Sequence, residues 1–299
     1  MAWEASPYFS YLLLGSMPSF EDLENPDSNL ATEIISADGV VIGKYFEKNR
    51  SQLKYSDLPK NLVQALVATE DARFYDHSGI DGRGTLRAIL SFGTSGGAST
   101  LTQQLAKQLF HGEGSKFLPF RIIQKAKEWI IAIRLERQYT NNEIIAMNCN
   151  VYDFGNNSVG VNSAAKTYFS KEPKDLTISE SAVLVGMFKN SGLYNPVKNI
   201  EGVTNRRNVV LKQMEKAEII TEAQKLQLQR LPIKLNFKLE SHKDGTATYF
   251  REYLREYMKK WVEENKKPDG SDYNIYKDGL RIYTTIDSRM QLYAEEAVE

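Results

Sequence analysis

Residues able to do chemistry crowd into two short stretches of this 299-residue chain. The first is Glu70-Asp71-Ala72-Arg73-Phe74-Tyr75-Asp76-His77-Ser78-Gly79. The second is Gly97-Ala98-Ser99-Thr100-Leu101-Thr102-Gln103-Gln104-Leu105-Ala106-Lys107. In the first, Glu70 falls in line with Leu62, Leu66 and Phe74 at four-residue intervals, with Val63 and Val67 on the adjoining rows. That is the core-facing stripe of an amphipathic helix. A carboxylate on such a stripe loses hydration, and its pKa rises unless a cation compensates. A raised carboxyl suits proton transfer, whereas a compensated one is a structural ion pair. The spacing alone leaves both readings open.

In the second stretch, Thr100, Gln103, Gln104 and Lys107 stand at i, i+3, i+4 and i+7, which predicts one polar helix face. Leu101, Leu105 and Leu109 form the opposite, buried one. The small-residue entry Gly96-Gly97-Ala98-Ser99 leaves backbone N–H groups accessible to an anion. A hydroxyl, two amides and an ammonium on one face suit a ligand carrying phosphate and sugar hydroxyls. A third segment, Phe120 to Tyr139, reads as a helix with Arg121, Lys125, Glu128 and Ala132 on one face. Lys125 and Glu128 are either a surface pair worth about 0.2–0.5 kcal/mol or a cation and second carboxylate brought to the site that holds Glu70.

The elements that position these residues are legible too. Ser56 and Asp57 are expected to cap the Glu70 helix, with Pro59 in its first turn. Thr140-Asn141-Asn142-Glu143 and Thr177-Ile178-Ser179-Glu180 are capping boxes, and Thr221-Glu222-Ala223-Gln224 marks a further helix start. Thr32 to Tyr45 reads as two short strands about an Ala37-Asp38-Gly39 turn, and Leu280 to Ile286 as another strand. Asp287 then caps a helix that runs to Glu299. A small sheet formed by the N- and C-terminal strands is expected beside a helical domain.

Composition removes several function classes. Balanced charge, 38 basic against 38 acidic residues, gives no drive toward nucleic acid. The single cysteine, Cys149, excludes an internal disulfide. His111 and His242 stand alone without metal-ligand spacing, so no zinc site is predicted. Ser163-Ala164-Ala165-Lys166 fits a Ser-x-x-Lys pattern but has no Lys-Thr-Gly or Ser-x-Asn partner. The longest N-terminal apolar run, Tyr8 to Leu14, falls short of the ~20 residues a spanning helix needs and lacks signal-peptide features.

From about Leu58 to Met214 these motifs, with Asn150, Phe154-Gly155-Asn156, Gly160, Ala164-Ala165 and Tyr168-Phe169, resemble those of the peptidoglycan glycosyltransferases of glycosyltransferase family 51. That module occurs in class A penicillin-binding proteins. The flanks Met17-Pro18-Ser19-Phe20 and Gly279 to Asp287 are similar to such proteins as well. Three departures stand out: Gln108 where the motif usually has Asn, Gln124 where a basic pair is common (with Lys127 as a replacement cation), and Asn148-Cys149-Asn150 for a usual Tyr-Leu-Asn.

The resemblance implies a mainly α, lysozyme-like helical glycosyltransferase domain with a small β linker sheet. It implies residues 1–50 as a juxtamembrane segment and linker strands, 51–235 as the glycosyltransferase domain, and 236–299 as a linker toward a transpeptidase domain missing from this chain. The implied activity is a hexosyltransferase polymerising lipid II into β-1,4 glycan strands with inversion and release of undecaprenyl pyrophosphate. Glu70 corresponds to the base that deprotonates the acceptor hydroxyl, and Glu128 to the second glutamate near the donor pyrophosphate. Lys107 and Lys125 match phosphate-neutralising positions. Ser99, Thr100, Gln103 and Gln104 match sugar- or phosphate-contacting ones, and Asn150 is matched as a substrate-binding position. Asp71, Phe74 and His77 match residues shaping the acidic motif, although His77 also reads as an ordinary core-margin histidine.

No cofactor is firmly implied; some family members use a divalent cation (Mg or Mn) at the donor pyrophosphate. Implied partners are lipid II, the growing glycan strand, the membrane lipid surface and proteins of a cell-wall synthesis complex. The implied location is the outer, periplasmic face of the bacterial cytoplasmic membrane, with an anchor helix absent from this chain. Leu109, Phe110, Phe117, Leu118 and Phe120, around Gly112 and Gly114, read either as ordinary core or, as the resemblance implies, as a mobile membrane-dipping lobe that admits the lipid tail. Two other readings stay in view. A lysozyme-like glycan-cleaving enzyme would also use a helix-borne glutamate but would not need Lys107 and Lys125, and a non-catalytic cell-wall scaffold would not need Glu70 or Glu128.

Overall fold

The structure, a computed structural model, describes residues 31–45, 53–90, 99–110, 118–238 and 246–298. The expectations for Tyr8–Leu14, Met17–Phe20, Gly96–Ala98, His111, Gly112, Gly114, Phe117 and His242 lie outside those residues, as do the side chains of Phe110, Leu118 and Phe120. In chain order come strands β1 (Thr32–Ile35) and β2 (Val41–Tyr45), then helices α1 (Lys60–Glu70), α2 (Gly82–Leu90), α3 (Leu101–Phe110) and α4 (Leu118–Gln138). Helices α5 (Asn141–Val151), α6 (Val161–Phe169), α7 (Ile178–Met187), α8 (Ile200–Lys216) and α9 (Glu222–Arg230) follow. The described chain ends with α10 (Thr248–Glu264), β3 (Arg281–Tyr283) and α11 (Ser288–Glu296). Among the described residues the protein is mostly helical with one small sheet. No described helix is long and apolar enough to cross a membrane.

The chain divides into two compact units, and the helical one comprises Leu53–Tyr152 and Pro173–Ile233 among described residues. There α1 packs against α7 and α8, while α3 packs against α4 and α5. The apolar stripe read from sequence is the reason: Leu62 and Leu66 are fully buried, as are Leu101 and Leu105 of α3. Three helix starts carry reciprocal bonds between cap and third residue. The carboxylates of Glu143 and Glu180 each accept the cap N–H of Thr140 and Thr177 at 2.8 Å, and Gln224 Oε1 accepts that of Thr221 at 2.8 Å.

The start of α1 differs from expectation. Ser56 and Asp57 do not cap it; they lie in a separate 3-10 turn, Tyr55–Asp57, where Asp57 accepts the N–H of Lys54 at 3.0 Å. Pro59 is itself the cap residue, offering only its carbonyl, to Leu62 N at 3.0 Å and Val63 N at 3.2 Å. The physical cause is the proline. It holds the preceding Leu58 in an extended conformation, which separates the turn from the helix.

Among the described residues, the second unit comprises 31–45, Asp153–Glu172, 234–238 and 246–298. It includes residues 153–172 and 234–235, which the sequence reading places in a single 51–235 domain. Its sheet has the order β2-β1-β3, with β1 antiparallel to β2 and parallel to β3. The N- and C-terminal strands thus share one sheet, Ile34 pairing with both Gly43 and Ile282. Ile34, Ile42, Tyr45 and Ala247 form its core, with Phe250 and Leu254 of α10 packed against them. Asp287 caps α11 through bonds from Arg289 N and Met290 N. Within this unit Ser163 is buried, and the Lys166 ammonium sits 3.0 Å from Glu172, so the Ser-x-x-Lys pair builds no nucleophile.

Candidate active site

The acidic motif folds back on the start of α3. Asp71 leaves α1 at φ −154°, ψ 73°, which turns its carboxylate inward. There it accepts the N–H of Leu101 at 3.0 Å, and both its oxygens lie 3.1 Å from His77 Nε2. Burial raises the Asp71 carboxyl above its ordinary value, against the pull of Leu101 and His77. Phe74 is fully buried, edge-on to His77 at 6.2 Å between ring centres. Asp71, Phe74 and His77 thus knit the motif together from inside.

Gly79 closes the motif. Its carbonyl accepts both Thr100 Oγ1 at 2.8 Å and Gln103 Nε2 at 3.1 Å. Its φ is +85°, and a Cβ there would stand 2.9 Å from the Ala132 carbonyl of α4, so only glycine fits. Nearby, Thr102 donates to the Glu136 carboxylate. Burial is the largest influence on that carboxyl and raises it.

Glu70 ends α1 and points elsewhere. Its Oε2 accepts Gln104 Nε2 at 3.2 Å, and its Oε1 lies 3.2 Å from Arg206 Nη2 of α8. The two charged side chains are only 13% and 12% exposed. The compensating cation that sequence spacing left open is therefore Arg206. One helical turn beyond Gln104 on α3 stands Lys107, about 4.5 Å further along the axis. Lys107 lines an open cleft of about 570 Å³ with Ser99, Arg121, Gln124, Lys125 and Glu128. Within it the Lys125 ammonium donates to Ser99 Oγ and to Glu128 Oε2, each at 2.9 Å. Glu128 is 8% exposed and Lys125 38%, so the cation faces the open space while its carboxylate partner stays inside. Arg121, Lys125 and Glu128 do share a helix face, as their spacing predicts.

A family profile described as Transglycosylase matches residues 38–215. The chain belongs to the transglycosylase family. This transglycosylase is 34% identical over 293 residues to penicillin-binding protein 1A of Vibrio cholerae, covering 97% of this chain and 34% of that protein. It is 36% identical over 287 residues to penicillin-binding protein 1A of Escherichia coli, covering 94% and 32%. The chain therefore spans about a third of the length of these relatives. A crystal structure of penicillin-binding protein 1A from Haemophilus influenzae overlaps 90% of this chain and 29% of that one, at TM-score 0.45 and 24% identity.

The polar face expected on α3 of the transglycosylase is split by the tertiary structure. Gln104 and Lys107 reach Glu70 and the cleft, but Thr100 and Gln103 are 1% exposed and committed to Gly79. The reason is that both flanks of the first turn of α3 are packed, so its polar groups must find partners inside. Asn150 is likewise engaged: its amide spans Leu53, accepting N–H and donating to C=O, both at 2.9 Å. Lys127 is buried and not a cleft residue, while Gln124 and Arg121 are. The sequence marks Glu136 only as the end of the Lys125-to-Glu136 segment that carries the family resemblance, and gives Arg206 no role. Arg206 lies 136 residues from Glu70, beyond the reach of any local pattern.

Among the described residues, no group of three or more His, Cys, Asp or Glu is arranged to hold a metal ion. Glu128 is the one carboxylate among the described residues of the cleft, and Lys125 already occupies it. That donor set does not by itself hold a divalent cation.

Proposed function

We propose that this transglycosylase polymerises lipid II, with Glu70 taking the proton from the acceptor sugar's 4-hydroxyl. The oxygen attacks the donor anomeric carbon and the bond to pyrophosphate breaks, inverting an α-linkage to a β-1,4 glycoside. The electron pair leaves with undecaprenyl pyrophosphate. Arg206 and Gln104 hold the Glu70 carboxylate between them, the guanidinium on Oε1 and the amide on Oε2. Lys107, Arg121 and Lys125 offset the charge that develops on the departing diphosphate. Glu128 holds Lys125 in the cleft, the role nearest to that of a second glutamate.

A single observation carries this reading: α3 joins the two centres, Gln104 on Glu70 and Lys107 in the cationic cleft one turn away. Family membership and the penicillin-binding protein 1A relatives support it. A glycan-cleaving enzyme has no use for three cations around an open cleft, because it expels no diphosphate. The substrate's polyprenyl tail places the reaction at the bacterial membrane surface, on the side where the glycan is assembled.

Incubation with lipid II, for the wild type and Glu70→Gln, tests the proposal. Polymer formed by the wild type, and lost by at least a hundredfold in the variant, is the expected result. Cleavage of preformed glycan without polymerisation would identify a hydrolase. Neither activity would leave a scaffold.

A further inference from the structure

Helix α1 also lines a separate cleft that the Glu70 chemistry does not use. It has a volume of about 600 Å³ and is walled by Leu58, Val63, Val67 and, just past the end of α8, Ile219, and flanked by Tyr55 and Tyr75. Its lining is predominantly apolar, and Tyr75 is 56% exposed although an aromatic ring gains from burial. The volume is that of a small-molecule site, about 300–1,000 Å³, and much too small to seat a folded partner. One charged side chain, Lys60, lies among the described residues that line it. Lys60 makes no ion pair among those residues and stands at the N-terminal end of α1, where the helix dipole is positive. Seven residues on, about 10 Å along the axis, Val67 lies against the apolar part.

We propose that this cleft binds a single-chain anionic amphiphile, its aliphatic chain against Val63, Val67 and Ile219 and its head group at Lys60. The division of the cleft into an apolar body and one cationic end selects this chemistry. A neutral apolar molecule leaves Lys60 unused, a cationic one is repelled by it, and a bare anion gains nothing from the walls. The site is distinct from the cleft of Lys107, Lys125 and Glu128, with which it shares no residue. It does not depend on the proposed reaction.

The test is titration of the 299-residue chain with dodecyl phosphate below its micelle concentration, read by calorimetry and by methyl resonances of Val63, Val67 and Ile219. Saturable binding at one site, with shifts at those methyls and not at Ile122, is expected. Affinity falls about fourfold for each methylene removed from the chain and about threefold in Lys60→Gln. Ala72→Trp, which fills the cleft from its exposed edge, lowers affinity at least tenfold; Gln64→Trp does the same if the first variant fails to fold. Inorganic phosphate alone leaves the methyls unmoved. Unchanged affinity in a folded tryptophan variant, or equally tight binding of dodecyltrimethylammonium, would overturn the proposal, as would no saturable binding by the wild type.

Discussion

Arg206 Nη2 lies 3.2 Å from Glu70 Oε1, a pairing of α8 with the last residue of α1 that buries both charges almost completely. The pair bridges two helices that already pack together, and it shares the carboxylate with Gln104. Arg206→Ala leaves Glu70 without its cation, so polymerisation is expected to drop while the fold persists, and Arg206→Lys recovers part of the rate. A double-mutant cycle with Glu70→Gln, followed by chemical denaturation, should return a coupling energy of about 0.5–3 kcal/mol. Strict additivity would mean the two charges do not sense each other.

Lys125 is the half-exposed cation of the cleft, tethered by Ser99 and Glu128. Removing a preorganised group that stabilises developing negative charge costs about 10²–10³ in kcat. Lys125→Ala is expected to fall in that range in lipid II turnover, and also to weaken binding of inorganic pyrophosphate in a calorimetric titration. Glu128→Gln, which loosens Lys125 without removing it, should cost less.

Gly79 stands where a side chain cannot. Gly79→Ala meets both a positive φ and the backbone of Ala132 at 2.9 Å, and the strained backbone alone costs about 1–3 kcal/mol. A lowered melting temperature is expected, together with loosened bonds from Thr100 and Gln103 visible as faster amide exchange at the start of α3. An unchanged melting temperature would show that α4 can move aside.

Acid–base behaviour of the interior follows from Asp71 and Glu136, both raised chiefly by burial. A carboxyl with a raised folded pKa binds its proton more tightly in the native state than in the unfolded one. Stability therefore falls as pH climbs from the ordinary carboxylate range through the raised values. Glu136→Gln keeps an acceptor for Thr102 but cannot ionise, so its stability profile between about pH 4 and 7 should be flatter than that of the wild type. Urea midpoints measured across that interval check the slope.

Local rules written into the sequence predicted a good deal. The four-residue stripe through Leu62, Leu66 and Glu70 correctly anticipates the buried face of α1, and the Thr–Glu boxes at 140 and 177 mark the starts of α5 and α7. Alternation around Gly39 and the run at Leu280 yield the strands. Each of these depends on residues within a turn or two of one another, where side-chain periodicity and capping chemistry act without help. Even there Ser56 and Asp57 do not cap α1, because Pro59 separates their turn from the helix.

What only the tertiary structure decided is which partner each polar group meets. Thr100 and Gln104 occupy comparable positions in the α3 pattern, yet one is bound to Gly79 and the other reaches Glu70. Arg206 is chosen as Glu70's cation over Lys107 and Lys125 although nothing near it in sequence marks it. Burial and ion pairing depend on distances between segments far apart in the chain. Packing sets those distances, whereas the periodicity of a single helix carries information only about its own faces.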